Sequence, residues 1–590
     1  MKFSFKIFLL AGTFLLGVTA CDDITDLDLL DDPNQAGTDQ ADAEFLYNSI
    51  QLKFAEIFMG RVALESGNSL AAAQGGTTPN LFRFASDLTR MTAMTGGATY
   101  NNAFQPTYFN ALWTDVYADM FPDIAALEVI AAEVNAPHHV ATANILKAYT
   151  MMMLVDIFGD VPYSEIGQGL VDISPAADDG ASVYAAAIAL LDASLAGLDE
   201  EATVSLASGN DNFFRASLSA WATLAKTLKF RAAVTTRLVD SGAGATAEAL
   251  LAEGDLITMA GEDWQWNYGT QRTNPSVRHP LYVDWYENDD GDYLGNYFMW
   301  ALAEEKGLLA DTVVDARANY YFYRQQTNLT TEIVGQSNAF DCILSSVPVR
   351  SAVPSHFTSI DPNMPYCLGT SNSDPGTTGY FGRDHGNNSG IPPDGNLRTT
   401  FGIYPAGGLY DNGSQRTTQN DGTQGALGAG IIPLMLESYV HFLRAEAALT
   451  MGTSDDAATQ LEAGIRASFA KVSGFGGSPE IADSTINTYV NYVMETYDDA
   501  GDDGSRLSII GKEFYLALWG QPFEHYNLYR RTCAPNNLQP LLENPQDGGN
   551  FIKSALYPTV YVTLNQEASQ KDITQSVFWD TNPAGAGCNY

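Results

Sequence analysis

Apolar residues recur at three- and four-residue spacing along two regions of the chain, the mark of helices that bury one face. In the first region, 41–60 places Phe45, Ile50, Phe54 and Ile57 on one stripe. Tyr108 to Val134 repeats the pattern with Trp113, Val116, Met120 and Ile124, and Pro122 is expected to break or kink it. Val140 to Phe158 follows, stopped by Gly159 with Pro162 just beyond. Ser182 is expected to cap Val183–Leu198, and Phe213–Leu238 and Ala247–Thr258 extend the series. In the second region Leu434–Met451 aligns Leu436, Val440, Leu443 and Ala447; Gly452 ends it, and Asp455–Phe469 follows at once. Such short connections predict helix-turn-helix pairs, as in stacked tetratricopeptide-like repeats.

Between the two regions the periodicity is lost. From about 331 to 430 the chain is dense in Gly, Asn, Asp, Ser, Thr and Pro. A stretch this long is more than a passive connection in a compact domain. Its interspersed aromatics (Phe357, Tyr366, Tyr380, Phe381, Tyr404 and Tyr410) predict a folded, surface-building excursion. The expected fold is therefore mostly α: a tetratricopeptide-like helix-pair scaffold carrying a large irregular, loop-rich lobe. A single domain is expected over 41–590, with the scaffold at about 41–260 and 431–530. The lobe occupies about 261–430 and a C-terminal segment 531–590.

The first twenty residues stand apart. Lys2 and Lys6 precede an almost unbroken apolar run from Ile7 to Val18. About 12 residues are too few to span roughly 30 Å of hydrocarbon as a helix, so 1–20 reads as a secretory signal. Val18-Thr19-Ala20-Cys21 resembles a bacterial lipobox, in which Cys21 is acylated and becomes the mature N-terminus. Buried acyl chains contribute about 0.8 kcal/mol per methylene, enough for a durable anchor. The polar, acidic stretch 21–40 suits a tether.

Charge narrows the function. With 70 acidic against 30 basic side chains the formal net charge is −40, which repels phosphate backbones and excludes nucleic acid as a partner. Cys342, Cys367, Cys533 and Cys588 remain after processing, an even number in an exported chain, and predict two disulfides with three connectivities. The sequence-local pairing, Cys342 with Cys367 and Cys533 with Cys588, is the expectation. The first loop, of about 25 residues, would contribute about 3 kcal/mol. Zinc is the rival use, but no two cysteines have the spacing of a ligand knuckle.

Several motifs together carry a family resemblance. Ala148 to Tyr163 contains Phe158-Gly159-Asp160-Val161-Pro162 at the end of a helix; Asp87-Leu88-Thr89-Arg90-Met91-Thr92 lies earlier. Asp315-Ala316-Arg317 has Ala where Pro is usual, and Glu437 and Ala445-Glu446-Ala447 lie on a later helix. Gly511-Lys512-Glu513-Phe514-Tyr515 runs through Trp519 to Arg530-Arg531-Thr532, where Cys533 replaces a usual Gly. Spread over nearly the whole mature chain, these resemble the SusD/RagB family of nutrient-binding lipoproteins, in its SusD-like branch. The resemblance implies a tetratricopeptide-like scaffold lying as a lid over a TonB-dependent, SusC-like outer-membrane transporter. Such a protein captures glycans, or in some members peptides, and delivers them. The acidic residues after Cys21 resemble the surface-export signal of Bacteroidetes lipoproteins, which implies a lipid-anchored position on the outer membrane facing the exterior.

Enzyme signatures are scarce. None of the seven histidines forms a metal pair on a helix, and no Gly-x-Ser-x-Gly elbow is present. A surface glycoside hydrolase would need two carboxylates roughly 5–9 Å apart, which the pattern does not suggest. The defining motifs read as structural: Asp160 as a partner for backbone amides, Arg530 and Arg531 for buried carboxylates, Glu446 for a contact between helices. Ligand contact is better sought among aromatics mixed with amides and carboxylates, whose faces pack on sugar C–H groups. Trp264, Trp266 and Tyr268 form one such set, and Trp285 and Tyr286 a second. Tyr380 and Tyr404 lie in the lobe, where loops concentrate function. For each, a ring that merely faces the core is the alternative. Acidic loops at 288–292 and 498–504 offer oxygen ligands for calcium without completing a twelve-residue calcium loop. No other cofactor is implied. A purely structural helical scaffold is the third class, and would lack an aromatic patch.

Overall fold

The computed structural model describes residues 42–60, 80–93, 104–167, 174–273, 275–288, 292–310, 313–324, 353–366, 380, 382–387, 398–413, 422–542 and 551–582. The signal, the tether, Cys21, Cys342, Cys367, Cys588 and most of 331–430 lie outside them. Cys533 is disulfide-bonded.

The chain opens with α1 (Ala43–Met59) and α2 (Leu81–Leu88), then β1 (Thr92–Ala93). Tyr47, Ile50, Phe54 and Phe58 of α1 are buried, but Phe45 is 74% exposed, because five residues before Ile50 it points well round the helix from the buried stripe. Next, α3 (Asn110–Thr114) passes through a π-helical turn, Asp115–Met120, into α4 (Phe121–Val134). The expected break at Pro122 does not occur. The Phe121 N–H bonds back to the Val116 carbonyl, and this widened turn accommodates the proline, which has no N–H and crowds the preceding turn.

Asn135, in the left-handed region at φ 55°, closes α4, and Pro137 opens α5 (Pro137–Phe158). This helix is long and apolar enough to cross a membrane, yet 89% of its hydrophobic window is buried inside the protein, so its hydropathy serves the core. Its closest companion is α6 (Gly180–Leu198). The cap of α6 is Asp179, accepting from the Ala181 N–H, and not Ser182. α7 (Leu218–Thr236) begins later than its hydrophobic pattern suggests. The Asp211 carboxylate accepts from the amides of Phe213, Phe214 and Ala216 and from Trp221 Nε1, holding that stretch in a loop. α8 (Ala243–Glu253) ends at Gly254.

The lobe contributes β2 (Trp264–Asn267), β3 (Tyr293–Leu294), α9 (Asn296–Ala303), α10 (Glu305–Leu309), β4 (Phe322–Tyr323) and β5 (Thr400–Phe401). Then come β6 (Ile431–Met435), α11 (Glu437–Met451), α12 (Ala457–Val472), α13 (Asp483–Asp498), α14 (Asp503–Ala517) and α15 (Glu524–Thr532). The expected helix start at Leu434 is therefore strand. It pairs antiparallel with β2, and the Asp263 carboxylate accepts the Glu437 N–H at the entrance to α11. β1 pairs with β3 and β4 with β5, each pair joining distant parts of the chain. Gly295 is required where β3 meets β1, because a Cβ there would lie 2.0 Å from the Arg90 carbonyl oxygen. Helix pairs α11/α12 and α13/α14, with α5/α6 and α7/α8, make the fold a mostly helical, tetratricopeptide-like one.

A buried alternation of charges ties four helices together. Arg231 on α7 donates to Asp156 on α5 (2.9 Å) and to Glu524 on α15 (2.8 Å). Glu524 also accepts from Arg531 (2.6 Å), whose fork grips Glu446 of α11 at 2.8 and 3.0 Å, and Arg237 closes on Glu446 at 2.7 Å. Burial raises the Glu524 carboxyl, but Arg231 and Arg531 outweigh it and hold the group below its ordinary range. Arg531 and Glu446 thus take the roles the sequence assigned them. Arg530 differs: it donates to the carbonyls of Asp156 and Lys553 and lies 3.8 Å from the Tyr526 ring centre and 4.7 Å from that of Trp579. Asp160 accepts the Gly180 N–H, and Arg317 forks onto Asp315.

Burial sets a pH response as well. His525 donates through Nε2 to the Gln521 carbonyl and faces the Thr89 hydroxyl through Nδ1. Its pKa is pushed down to about 3 by burial. Its neutral form is therefore favoured in the folded state, and that stability is present above the unfolded pKa near 6.5 and lost as pH falls toward 3. Between pH 7 and pH 5 the loss is about 2 kcal/mol. His525→Gln should remove this share, so urea titrations at the two pH values should differ by about 2 kcal/mol less in the variant. An unchanged difference would show that His525 does not titrate this way.

Candidate functional site

β2 is the one candidate aromatic segment that combines a buried anchor with open rings. Trp264 is fully buried, with ring centres 4.9 Å from Tyr149, 5.5 Å from Phe54 and 5.8 Å from Phe213. Side chains alternate along a strand, so Trp266 and Tyr268 share its face while Gln265 and Asn267 take the other. Trp266 rests against Phe213 at 5.6 Å and is half-buried. Tyr268 is also half-buried, set against His279 at 4.7 Å; burial, then the Glu56 charge, pushes its phenol well above the ordinary range. On the polar face Gln265 donates to Asn267 (2.7 Å), and Lys471 bridges Asp263 and Gln265, both at 2.5 Å. The strand thus presents a graded aromatic face and an ordered row of amides.

The remaining predicted rings are core. Trp285 lies beneath the Arg398 guanidinium (4.6 Å) and beside Phe401 (5.6 Å). Tyr286 donates to the Phe401 carbonyl at 2.6 Å, Tyr404 stacks on Tyr321 at 5.6 Å, and Tyr380 carries the Arg324 guanidinium at 5.0 Å. With Trp264 these rings are at most 5% exposed, so in this conformation they offer no open face to a ligand. The physical reason is area: an aromatic side chain buries roughly 150–250 Å², and short strands and turns with little other apolar content use it to attach the lobe.

A second cluster escaped the sequence. Arg83 on α2, 40% exposed at its side chain, pairs with Asp292 at 2.7 Å. Arg398 and Arg383 both lie over the Tyr293 ring, at 5.7 and 5.2 Å. The Asp292 charge, foremost, raises the Arg83 pKa. Asp87, donated to by the Thr92 hydroxyl, is pushed up to about 8 by burial, then by Asp292. These residues come from segments hundreds of positions apart, and no local spacing links them. Asp292, in the first of the two acidic loops, is thus engaged by Arg83. In the other acidic loop Asp502 caps α14, accepting from the Ser505 N–H. Among the described residues no group of three or more His, Cys, Asp or Glu side chains could hold a metal ion.

The comparisons agree with this architecture. Residues 34–341 match the family described as Susd and RagB outer membrane lipoprotein, and 374–558 match one described as starch-binding associating with outer membrane. The chain belongs to the SusD/RagB family, and it is a lipid-anchored protein of the outer membrane. Among solved structures it is similar to a SusD homolog from Bacteroides uniformis, at 18% identity, TM-score 0.62, covering 91% of this chain and 100% of that one. A chitin-binding SusD homolog from Flavobacterium johnsoniae gives 18% identity and TM-score 0.60, covering 91% and 99%. A SusD homolog from Parabacteroides distasonis gives 19% and 0.59, covering 90% and 98%. No curated protein matches the chain.

Proposed function

We propose that this protein captures glycans at the outer face of the membrane and passes them, chemically unchanged, to a SusC-like TonB-dependent transporter. The observation that carries the reading is the segment Trp264–Tyr268, where the partly exposed Trp266 ring and the Tyr268 ring, its phenol buried, alternate with Gln265 and Asn267. Ring faces take the C–H patches of a pyranose; Gln265 and Asn267 stand on the opposite face of the strand and reach its hydroxyls through bridging water at the strand end. The family match and the chitin-binding relative support sugar as the ligand class. Cys21 supplies the lipid anchor, and the surface charge leaves that lipid as the membrane contact.

Trp266→Ala should weaken binding of the cognate oligosaccharide about tenfold or more while leaving the melting temperature within a few degrees, since the ring is only half-buried. Arg83→Ala tests the other cluster. If Arg83→Ala abolishes binding and Trp266→Ala does not, the site moves from β2 to the α2–β3 surface. For the partnership, purification in mild detergent through a tag on this chain should bring down a large β-barrel. Recovery of the chain alone would overturn the delivery step.

A further inference from the structure

On the helical scaffold a cleft of about 510 Å³ opens between α10, α13, α14 and Asn537. That lies within the roughly 300–1,000 Å³ of small-ligand sites. Two dipeptides face each other across its floor. Glu305 and Lys306 come from α10, Lys512 and Glu513 from α14, and they pair crosswise: Glu305 with Lys512 at 2.7 Å, Lys306 with Glu513 at 2.9 Å. Asn537 donates to Glu305 at 2.7 Å, and Lys512 also reaches the Tyr297 hydroxyl at 2.9 Å. The walls are apolar and hydroxylic, with Tyr492 and Thr496 on α13, Ile509 on α14 and, at the rim, Leu309, 67% exposed, and the exposed carboxylate of Asp499.

We infer that this cleft is a second ligand site, separate from β2, and that it takes a neutral polyhydroxylated molecule the size of a mono- or disaccharide. Three features of the cleft select that class. The four floor charges are paired, and the one further charge in the lining, Asp499, is exposed and screened by water, so a charged ligand gains little there and would have to break a desolvated ion pair to gain more. An apolar ligand would cover Lys306, whose ammonium carries three N–H bonds, meets Glu513 at 2.9 Å and lies 5.0 Å from the Tyr489 ring centre, and burying its remaining N–H capacity unpaired is costly. A hydroxyl both donates and accepts, so one sugar edge can accept from Lys306 and donate to the second lone pair of Glu305 Oε1, the oxygen Asn537 already meets, with both ion pairs intact. The wall of Tyr492, Ile509 and Leu309 then meets the C–H faces of the ring. The inference rests on the capture reading only in choosing sugar among polyols.

The test uses the full mature chain, acyl chains absent through Cys21→Ser, with labelled Ile, Leu and Val methyls. Maltose, cellobiose and N,N′-diacetylchitobiose are titrated in turn, and glycerol serves as a small-polyol control. At least one disaccharide should shift the Val493 and Ile509 methyls saturably, and Thr496→Trp, which fills the cleft from an α13 wall position, should weaken that response at least about tenfold. Tyr492→Ala serves as the second variant, should the tryptophan disturb packing, and should also weaken it. Shifts confined to methyls near β2 would overturn this inference and leave the capture reading standing. Absence of any shift at Val493 and Ile509 up to tens of millimolar sugar would also overturn it, and the capture reading would then be decided on long oligosaccharides alone.

Discussion

Glu524→Ala should destabilise the protein by about 3–5 kcal/mol. Glu524 stands between Arg231 and Arg531, both fully buried, and accepts from each within 2.8 Å. Its removal leaves two buried guanidinium groups each short of one carboxylate partner. Arg231 keeps Asp156 and Arg531 keeps Glu446, so the chain should still fold, with a lower denaturation midpoint. Glu524→Gln keeps the volume and some of the hydrogen bonding and should fall between wild type and alanine. Urea denaturation measures both. A loss below about 1 kcal/mol for Glu524→Ala would mean that the alternating network contributes little and that packing alone holds α5, α7, α11 and α15 together.

Trp519→Ala should cost about 3–5 kcal/mol by opening a cavity where scaffold meets lobe. The indole is fully buried, stacked on Phe401 at 4.7 Å and set against Phe298 (5.0 Å), Phe322 (5.7 Å) and Phe82 (5.9 Å). Phe401 and Phe322 sit on the paired strands β5 and β4, whereas Trp519 follows α14, so one side chain bonds the two parts. Limited proteolysis should cut the variant between 292 and 413 at a denaturant concentration where the helices are still protected. Simultaneous loss of both parts in one transition would show that the lobe does not separate first.

The helices were legible because their cause is local. A stripe of Trp113, Val116, Met120 and Ile124 needs only its own spacing to be recognised, and all four are buried. Helix starts were less so. Whether Ser182 or Asp179 caps α6, and where α7 begins, depends on which carboxylate reaches which amide, and Asp211 reaches four donors. The segment 431–435 is apolar throughout and carries no period; its strand character comes from β2, more than 160 residues away in sequence. Charge and motif marked Arg531 for a buried carboxylate and Glu446 for a contact between helices without naming one as the other's partner, and the same carboxylate expectation fails for Arg530, whose partners are carbonyls and rings.

The candidate site was legible only in part, for a related reason. Aromatic and amide residues in Trp264–Tyr268 mark a segment of mixed chemistry, but sequence does not say which ring faces outward. Strand alternation and packing against Phe54 and Phe213 close Trp264 and leave Trp266 half-open. Trp285, Tyr286, Tyr380 and Tyr404 have the same composition around them and serve the core. Arg83, Asp292, Arg398 and the Lys306–Glu513 floor arise from tertiary contact, which no motif announced.

The most direct test of the central claim is calorimetry of the soluble chain from residue 22 against a panel of oligosaccharides and oligopeptides, with product analysis of each mixture. The account predicts saturable binding of at least one oligosaccharide, its recovery intact, and loss of affinity in Trp266→Ala. Binding of peptides alone, or sugar fragments accumulating in the mixture, would contradict it.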